Sequence, residues 1–114
     1  MDIYEKCKQA IDNVFFNKGF INLVINKYID QVETKNQALF TRIVYGVVEN
    51  KLLIDYNLNL YLNKEIKNRD IMQYLRIGTY GIKFLNLADA LVGNEIVALI
   101  KDVDYHLAGV ANVV

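Results

Sequence analysis

The sequence predicts an all-α fold, a compact globular bundle of about six to seven helices. Apolar residues recur at helical spacing along almost the whole chain, and no alternating run of useful length is typical of a strand. The chain has no proline, and its six glycines stand singly rather than in flexible linkers. Helices joined by short turns therefore account for the pattern.

The first helix carries one apolar stripe close to the N-terminus. Asp2 and Glu5 have the spacing of a capping box, and Gly19 is predicted to end the helix in a left-handed conformation. Cys7 lies on the stripe, where a cysteine acts as a small hydrophobic side chain. The members of the stripe are Ile3, Cys7, Ala10, Ile11, Val14 and Phe15.

A second amphipathic segment covers residues 24–32, and Thr34 with Gln37 provides a second capping box that starts the third helix. The helical pattern then continues over residues 36–62. A straight helix of that length would span roughly 40 Å, whereas a compact chain of this size has a radius of gyration near about 13 Å. We therefore predict a break or kink within residues 50–59.

Residues 62–70 form a polar connection, after which the spacing predicts a long helix over residues 71–85. Gly78 and Gly81 lie inside that helix at a cost of about 1 kcal/mol each relative to alanine. We therefore predict that another helix crosses closely at their face.

Asp89 opens the next predicted helix, and Asp102 or Asp104 caps a last segment that stops at Val114 within an apolar pattern. His106 is the only histidine and lies near these aspartates. Because a lone histidine beside a helix start is usually a surface or capping residue, we predict no metal site.

The composition fits one domain with a real core, since the 114 residues are 54% hydrophobic and 23% charged. Thirteen Lys and Arg balance thirteen Asp and Glu, so no strongly basic block indicates nucleic acid. The single cysteine excludes an internal disulfide, and no segment has the pattern of a signal peptide or membrane span. We expect a cytoplasmic protein that does not bind membranes.

No set of residues has the pattern of a catalytic site. Gly78-Thr-Tyr-Gly81 lacks a third glycine and lies inside a predicted helix, whereas a nucleotide-binding loop follows a strand. The carboxylates are scattered over polar faces, with no pair among apolar positions. We therefore predict that this chain is not an enzyme and holds no cofactor.

Four cations near apolar stripes are candidate RNA contacts. Lys6 and Lys8 flank the stripe of the first helix, while Arg76 and Lys83 lie on the long helix of the second half. Phosphate contacts add up only when several cations line one surface. Any RNA binding by these residues is therefore expected to be weak and sensitive to salt.

Phe16 lies on the polar side of the first helix, about 160° from the centre of its stripe. Two interpretations stay open: the ring folds under the turn at residues 19–20, or it faces a partner. In the second case the chain is a helical interaction module, such as a homodimer, that uses an apolar face at Phe16 or at the C-terminal helix.

Several segments, taken in order, resemble the NusB-like domain family. Phe40-Thr-Arg-Ile-Val-Tyr-Gly-Val-Val48 is similar to the family's "T-x-L-V-Y-G" helix, and Leu75-Arg-Ile-Gly-Thr-Tyr80 is similar to its "L-R-L-G/A-L-Y" helix. Further similar segments are Leu53-Ile-Asp-Tyr56, Asp89-Ala-Leu-Val-Gly-Asn-Glu-Ile-Val97 and Ala108-Gly-Val-Ala-Asn112. The family's proline before the Asn-Glu helix is absent here, with Ala88 near its place.

This resemblance implies that residues 1–114 form one α-helical domain for RNA or partner recognition. Within the family, the chain is most similar to the N-terminal domain of Sun/Fmu-type 16S ribosomal RNA cytosine-5 methyltransferases. We therefore expect a fragment of a longer protein, in which the domain helps to position ribosomal RNA. S-adenosylmethionine and the catalytic cysteines would then belong to a C-terminal domain that these residues lack.

The resemblance leaves an alternative open, a stand-alone transcription antitermination factor. Such a factor would bind boxA-like leader or ribosomal RNA together with a ribosomal protein partner. The arginine-rich start that this branch of the family carries is missing here, which favours the methyltransferase interpretation.

Overall fold

The computed structural model describes residues 3–62 and 65–103, without the side chains of residues 89 and 90. Within these ranges the fold holds six α-helices and no strand, which confirms the all-α prediction. A 3₁₀ turn covers Thr34–Asn36, and a π turn covers Tyr80–Phe84. The helices are α1 (Ile3–Phe16), α2 (Ile21–Ile29), α3 (Gln37–Glu49), α4 (Lys51–Tyr61), α5 (Arg69–Thr79) and α6 (Asp89–Val103).

Helix α1 packs against α2, α3 and α5 and so lies at the centre of the fold. Its buried side chains include Cys7, Ala10 and Ile11 from the predicted stripe, and Cys7 is fully buried as predicted. Facing helices fill the same core with β-branched and aromatic side chains. The fully buried ones on α3 and α5 include Phe40, Ile43, Val44, Ile71 and Ile77.

The turn after α1 differs from the prediction, because Lys18 rather than Gly19 takes the left-handed conformation, with a φ of 55°. The Gly19 amide donates to the Asn13 carbonyl oxygen at 3.0 Å and so helps to satisfy a carbonyl of the last turn of α1. A Cβ at Gly19 would lie 2.6 Å from Asn13 Oδ1 and from Val24 Cγ2. Space, not backbone conformation, therefore requires glycine here. Asp2, the predicted cap at the other end of α1, lies outside the described residues.

The predicted capping box of Thr34 and Gln37 is wrong. No side-chain cap forms at the start of the 3₁₀ turn or of α3. The Gln37 side-chain amide instead donates to the carbonyl oxygens of Ile29 at 3.1 Å and Val32 at 3.2 Å. It satisfies the last carbonyl of α2 and one in the segment that follows, so Gln37 ties the start of α3 to the end of α2 rather than capping its own helix.

The long apolar pattern breaks at Asn50, inside the predicted interval. The Asn50 backbone N–H and side-chain Nδ2 both donate to the Gly46 carbonyl oxygen, at 3.0 and 2.9 Å. These bonds close α3 and let α4 begin at the next residue. The radius of gyration of 13.4 Å is that of a compact chain, which an unbroken helix of this length would not allow.

Helix α5 begins at Arg69, two residues before the predicted start, so the described part of the predicted polar connection that precedes the helix is residues 65–68, and Asn68 caps the helix. Asn68 Oδ1 accepts from the Ile71 backbone N–H at 3.0 Å, an N-cap that the sequence analysis did not name. At its other end, α5 passes into the π turn at Tyr80 instead of continuing regularly to Leu85. Such a turn places an additional residue in one helical turn.

Two glycines allow close contacts between helices. The Cβ position of Gly78 lies 3.4 Å from Cγ1 of Ile96 on α6, which confirms the crossing predicted there. Gly46 on α3 is enclosed more tightly, because a Cβ there would overlap the ring of Tyr80. That ring also stacks on Phe84, with centroids 5.2 Å apart. Tyr80 therefore fills the space that a side chain at position 46 would need.

Helix α6 begins at Asp89, as predicted. Asp102 is an exposed residue within α6, while Asp104, His106 and residues 107–114 lie outside the described residues. Among the helices that the structure describes, none is long and apolar enough to cross a membrane.

Gly46→Ala should destabilise the fold by about 1–2 kcal/mol, because the added methyl group has to displace the Tyr80 ring. Gly93→Ala is the matched control on α6, where nothing lies within 4 Å of the Cβ position. It should stabilise the fold by about 0.5–1 kcal/mol through helix propensity alone. Urea unfolding measures both changes. A Gly46→Ala variant as stable as the wild type would contradict the contact with Tyr80.

Candidate nucleic-acid interface

A groove of about 410 Å³ lies between the end of α1, the start of α4, the connection before α5, and α5 itself. We call it the Phe15–Phe16 groove. Four cations and two aromatic rings line it, together with two apolar side chains, and no acidic side chain of the described residues does so. The lining residues are Phe15, Phe16, Lys51, Ile66, Lys67, Arg69, Met72 and Arg76.

The two rings of the groove sit edge to face and are covered by cations. Their centroids lie 6.3 Å apart with an interplanar angle of 80°. The Arg69 guanidinium carbon lies 4.3 Å from the centroid of the Phe16 ring. The Lys51 Nζ atom and the Arg76 guanidinium carbon lie 5.9 and 5.8 Å from the centroid of the Phe15 ring. Cations at these distances are attracted to the ring faces.

Arg76 is buried, with only 9% of its surface exposed, and each of its three guanidinium nitrogens donates to a neighbouring side chain. Its Nε donates to Asp55 Oδ1 at 2.7 Å, and its Nη2 donates to Oδ2 of the same carboxylate at 3.2 Å. Its Nη1 donates to Gln73 Oε1 at 2.8 Å. This two-point carboxylate contact is the strong geometry of an Arg–Asp pair and joins α5 to α4.

The same hydrogen-bond chain continues from Gln73 into α1. Gln73 is fully buried, and its Nε2 donates to Asp12 Oδ1 at 2.9 Å. Lys8 forms ion pairs with Asp12 and Asp70, each at 2.7 Å. The network therefore ties three helices together beneath the groove, and each buried polar group in it has a partner.

Two titrating groups of this network have shifted pKa values. Burial would raise the pKa of Asp55, but hydrogen bonds from Arg76 and Lys51 and their charges outweigh burial, so its pKa lies below the usual range. Burial would lower the pKa of Lys8, but hydrogen bonds and charges from Asp12 and Asp70 raise it overall. Both groups are therefore held in their charged forms.

The sequence pattern of the NusB family matches residues 2–114 of this chain. The chain belongs to the NusB family. The segments that resembled the family contact other helices in this structure: Gly46 faces Tyr80, Gly78 faces Ile96, and Asp55 accepts hydrogen bonds from Arg76.

Two curated relatives represent different members of the NusB family. The chain is 30% identical over 97 residues to a probable ribosomal RNA small subunit methyltransferase B from Bacillus subtilis, an alignment that covers 82% of this chain and 22% of that protein. It is 36% identical over 83 residues to the transcription antitermination protein NusB from Campylobacter fetus, covering 68% and 63%. The chain thus spans about a fifth of the first relative and less than two thirds of the second. No solved structure matches the chain.

In this NusB-family domain, the four predicted RNA contacts do not share one surface. Arg76 lines the Phe15–Phe16 groove, and Lys8 is linked to it through the network of Asp12 and Gln73. Lys6 donates instead to Gln31, beyond the end of α2, at 2.7 Å. Their roles in RNA binding stay predictions.

Lys83 lies at a second cavity, which is apolar and has a volume of about 290 Å³ between α4, α5 and α6. Its ammonium group lies 5.4 Å from the ring centroid of Tyr61. Phe16, by contrast, lines the groove with 40% of its surface exposed. The ring partners of Phe16 are Phe15 and Arg69, neither of which belongs to the turn at residues 19–20.

Sequence reasoning missed three of the four groove cations: Lys51, Lys67 and Arg69. They belong to the start of α4, to the connection before α5 and to the first turn of α5. Helical periodicity compares residues on one helix and gives no information on which separate segments meet. One signal in the sequence could have indicated two of them: Lys67 and Arg69 lie close together in the predicted polar connection, directly before an apolar helix.

A further surface that the sequence did not predict is the outer face of α4. Large apolar side chains there are mostly exposed, by 50 to 82%. They are Leu52, Leu53, Tyr56, Leu60 and Tyr61. The largest exposed apolar row of the described residues therefore lies on α4. The interaction-module interpretation placed its apolar face at Phe16 or at the C-terminal helix, whose last segment lies outside the described residues.

Asp55→Asn should lower the free energy of unfolding at neutral pH by about 1–3 kcal/mol, because Arg76 stays buried without its counter-charge. The wild-type contribution is fully present above the unfolded-state pKa near 3.8 and is lost as pH falls through the lower folded-state pKa. Stability should therefore fall more steeply with acid in the wild type than in the variant.

Urea unfolding between pH 3 and pH 7 measures this difference. Lys51→Met is the matched control, because it keeps the Arg76–Asp55 pair and removes the more exposed Lys51–Asp55 pair together with the cation near the Phe15 ring, at a cost of about 0.5 kcal/mol. Equal losses in the two variants, or parallel pH profiles for Asp55→Asn and wild type, would contradict a dominant Arg76–Asp55 pair.

Proposed function

We propose that this NusB-family domain recognises RNA through the Phe15–Phe16 groove and helps to position ribosomal RNA as the N-terminal domain of a small-subunit methyltransferase. The observation that carries the proposal is the meeting of four cations and two aromatic rings in one groove without an acidic lining side chain. Cations that neutralise phosphates and rings that stack on bases are the usual parts of a nucleic-acid channel.

The charge distribution around the groove supports this proposal even though the chain as a whole is neutral. Two of the four groove cations, Lys51 and Arg76, share the carboxylate of Asp55. Lys67 and Arg69 are exposed and pair with no carboxylate among the residues that the structure describes. These two cations are therefore available for phosphate groups, while the buried pair keeps the groove in shape.

Charge reversal at Lys67 and Arg69 tests the groove. The double variant Lys67→Glu/Arg69→Glu should lose about tenfold or more in affinity for single-stranded fragments of small-subunit ribosomal RNA at low salt. The slope of log affinity against log salt should also fall by about 0.7 for each phosphate contact removed. Fluorescence anisotropy with labelled RNA provides both numbers, and circular dichroism shows that the variant is folded.

Two control variants carry the same change of charge at other places. Arg42→Glu/Lys101→Glu alters exposed cations outside the groove and should change affinity little. Lys6→Glu/Lys83→Glu tests the two sequence-predicted contacts that lie elsewhere. If only this last variant loses affinity, the groove is the wrong surface. If the wild-type chain binds none of the RNA fragments, the RNA-binding proposal itself fails.

The second candidate function is a stand-alone antitermination factor, and the identity to the Campylobacter fetus NusB protein favours it. The two candidates differ in the length of the natural product, which an antibody against this domain can measure in the source cell. A product several times longer than 114 residues, whose loss removes a methylated cytosine from small-subunit ribosomal RNA, is expected for the methyltransferase. A product of about this length that binds boxA-like RNA with a ribosomal protein would replace that proposal by the second candidate.

A further inference from the structure

We propose that the Phe16–Arg69 pair is a stacking site for one unpaired base of single-stranded RNA, with Lys67 placed to contact the adjoining phosphate. This inference rests on the proposed RNA-binding function, and it specifies which part of an RNA the groove would bind. It concerns an aromatic ring and a planar cation at the mouth of the groove, rather than its overall charge.

The geometry of the pair provides flat surfaces at one accessible point. The Arg69 guanidinium carbon lies 4.3 Å from the Phe16 centroid, close enough for contact between the two groups. Phe16 is 40% exposed and Arg69 is exposed, so both groups can be reached from solvent. Planar guanidinium groups and aromatic rings are the two protein surfaces on which RNA bases stack.

The surroundings hold this pair in place. Phe15 contacts the Phe16 ring edge to face and is itself covered by Lys51 and Arg76. Arg76 is fixed by Asp55 and Gln73, so the support behind Phe16 is anchored in the buried network. A stacking surface that is ordered before binding loses less conformational entropy when a ligand arrives.

The chemistry of the pair selects unpaired RNA. In a duplex the bases are stacked on one another, and proteins contact mainly phosphates and 2′-hydroxyl groups. A base in a loop or at an end is free to stack on the side of the Arg69–Phe16 pair that faces solvent. The groove volume of about 410 Å³ lies in the range of sites for small organic groups. If Lys67 and Arg69 only attracted phosphates, the duplex would bind at least as tightly as the single strand, because its charge density is higher.

The test uses two variants that remove the flat surface but preserve the charge. Phe16→Leu replaces the ring by an aliphatic side chain, and Arg69→Lys replaces the planar cation by a point charge. Phe16→Tyr and Lys67→Arg are the matched controls, because each keeps the group that its site requires. The probes are a short single-stranded RNA carrying 2-aminopurine in place of one adenine and the same RNA annealed to its complement.

Phe16→Leu and Arg69→Lys should each weaken binding of the single strand by about fivefold or more, with the salt slope unchanged. The change in 2-aminopurine fluorescence that follows transfer of the base from its neighbours in the strand to the protein should be lost in both variants and kept in Phe16→Tyr and Lys67→Arg. The duplex should bind more weakly than the single strand and should respond to neither substitution. Thermal unfolding of each variant verifies that the fold is intact.

Three results would overturn the inference: unchanged affinity in Phe16→Leu, equal binding of duplex and single strand by the wild type, or no change in 2-aminopurine fluorescence on binding. Each of them leaves the proposed function standing if Lys67→Glu/Arg69→Glu still abolishes binding. Failure of the proposed function has a different signature, because the wild-type chain would then bind neither probe.

Discussion

The structure depends most on how it accommodates the buried guanidinium of Arg76. A buried cation is costly unless its charge and its donors are compensated. Asp55 of α4 supplies two carboxylate oxygens and Gln73 supplies a third acceptor, and Gln73 in turn needs Asp12 of α1. Satisfying one side chain therefore fixes the relative positions of three helices, and the Phe15–Phe16 groove lies over the place where they meet.

This network also explains how an electrically neutral chain presents a basic groove. The carboxylates of Asp12, Asp55 and Asp70 point into ion pairs with Lys8, Lys51 and Arg76 and do not line the groove. The neighbouring cations neutralise these carboxylates, whereas Lys67 and Arg69 face solvent. The net charge of a chain is thus a poor guide to the charge of one groove, because carboxylates can be paired outside the groove while unpaired cations line it.

Much of the fold could be predicted from the spacing of apolar residues in the sequence. The buried face of α1 and the break before α4 are two examples. Both depend on residues close in sequence, where helical spacing and polar breaks carry the information. One error arose because the Gln37 side chain bonds to carbonyls outside its own turn. The other concerned the backbone, since Lys18 takes the left-handed conformation expected of Gly19. The groove depended on contacts between Phe16, Arg69 and residues of α4, which no local pattern contains. Arg76 was selected from its position on the long predicted helix, whereas its burial depends on the tertiary fold and was not predicted.

The contact between Gly46 and Tyr80 bears on how sequences of this family diverge. Because the ring occupies the volume of the absent side chain, the two positions share one space and cannot enlarge independently. A homologue with a larger residue at position 46 needs a smaller side chain at position 80 or a shifted π turn, since residue 80 begins that turn. The two positions should therefore covary in size among homologues, so that α3 and the start of the π turn evolve as one unit.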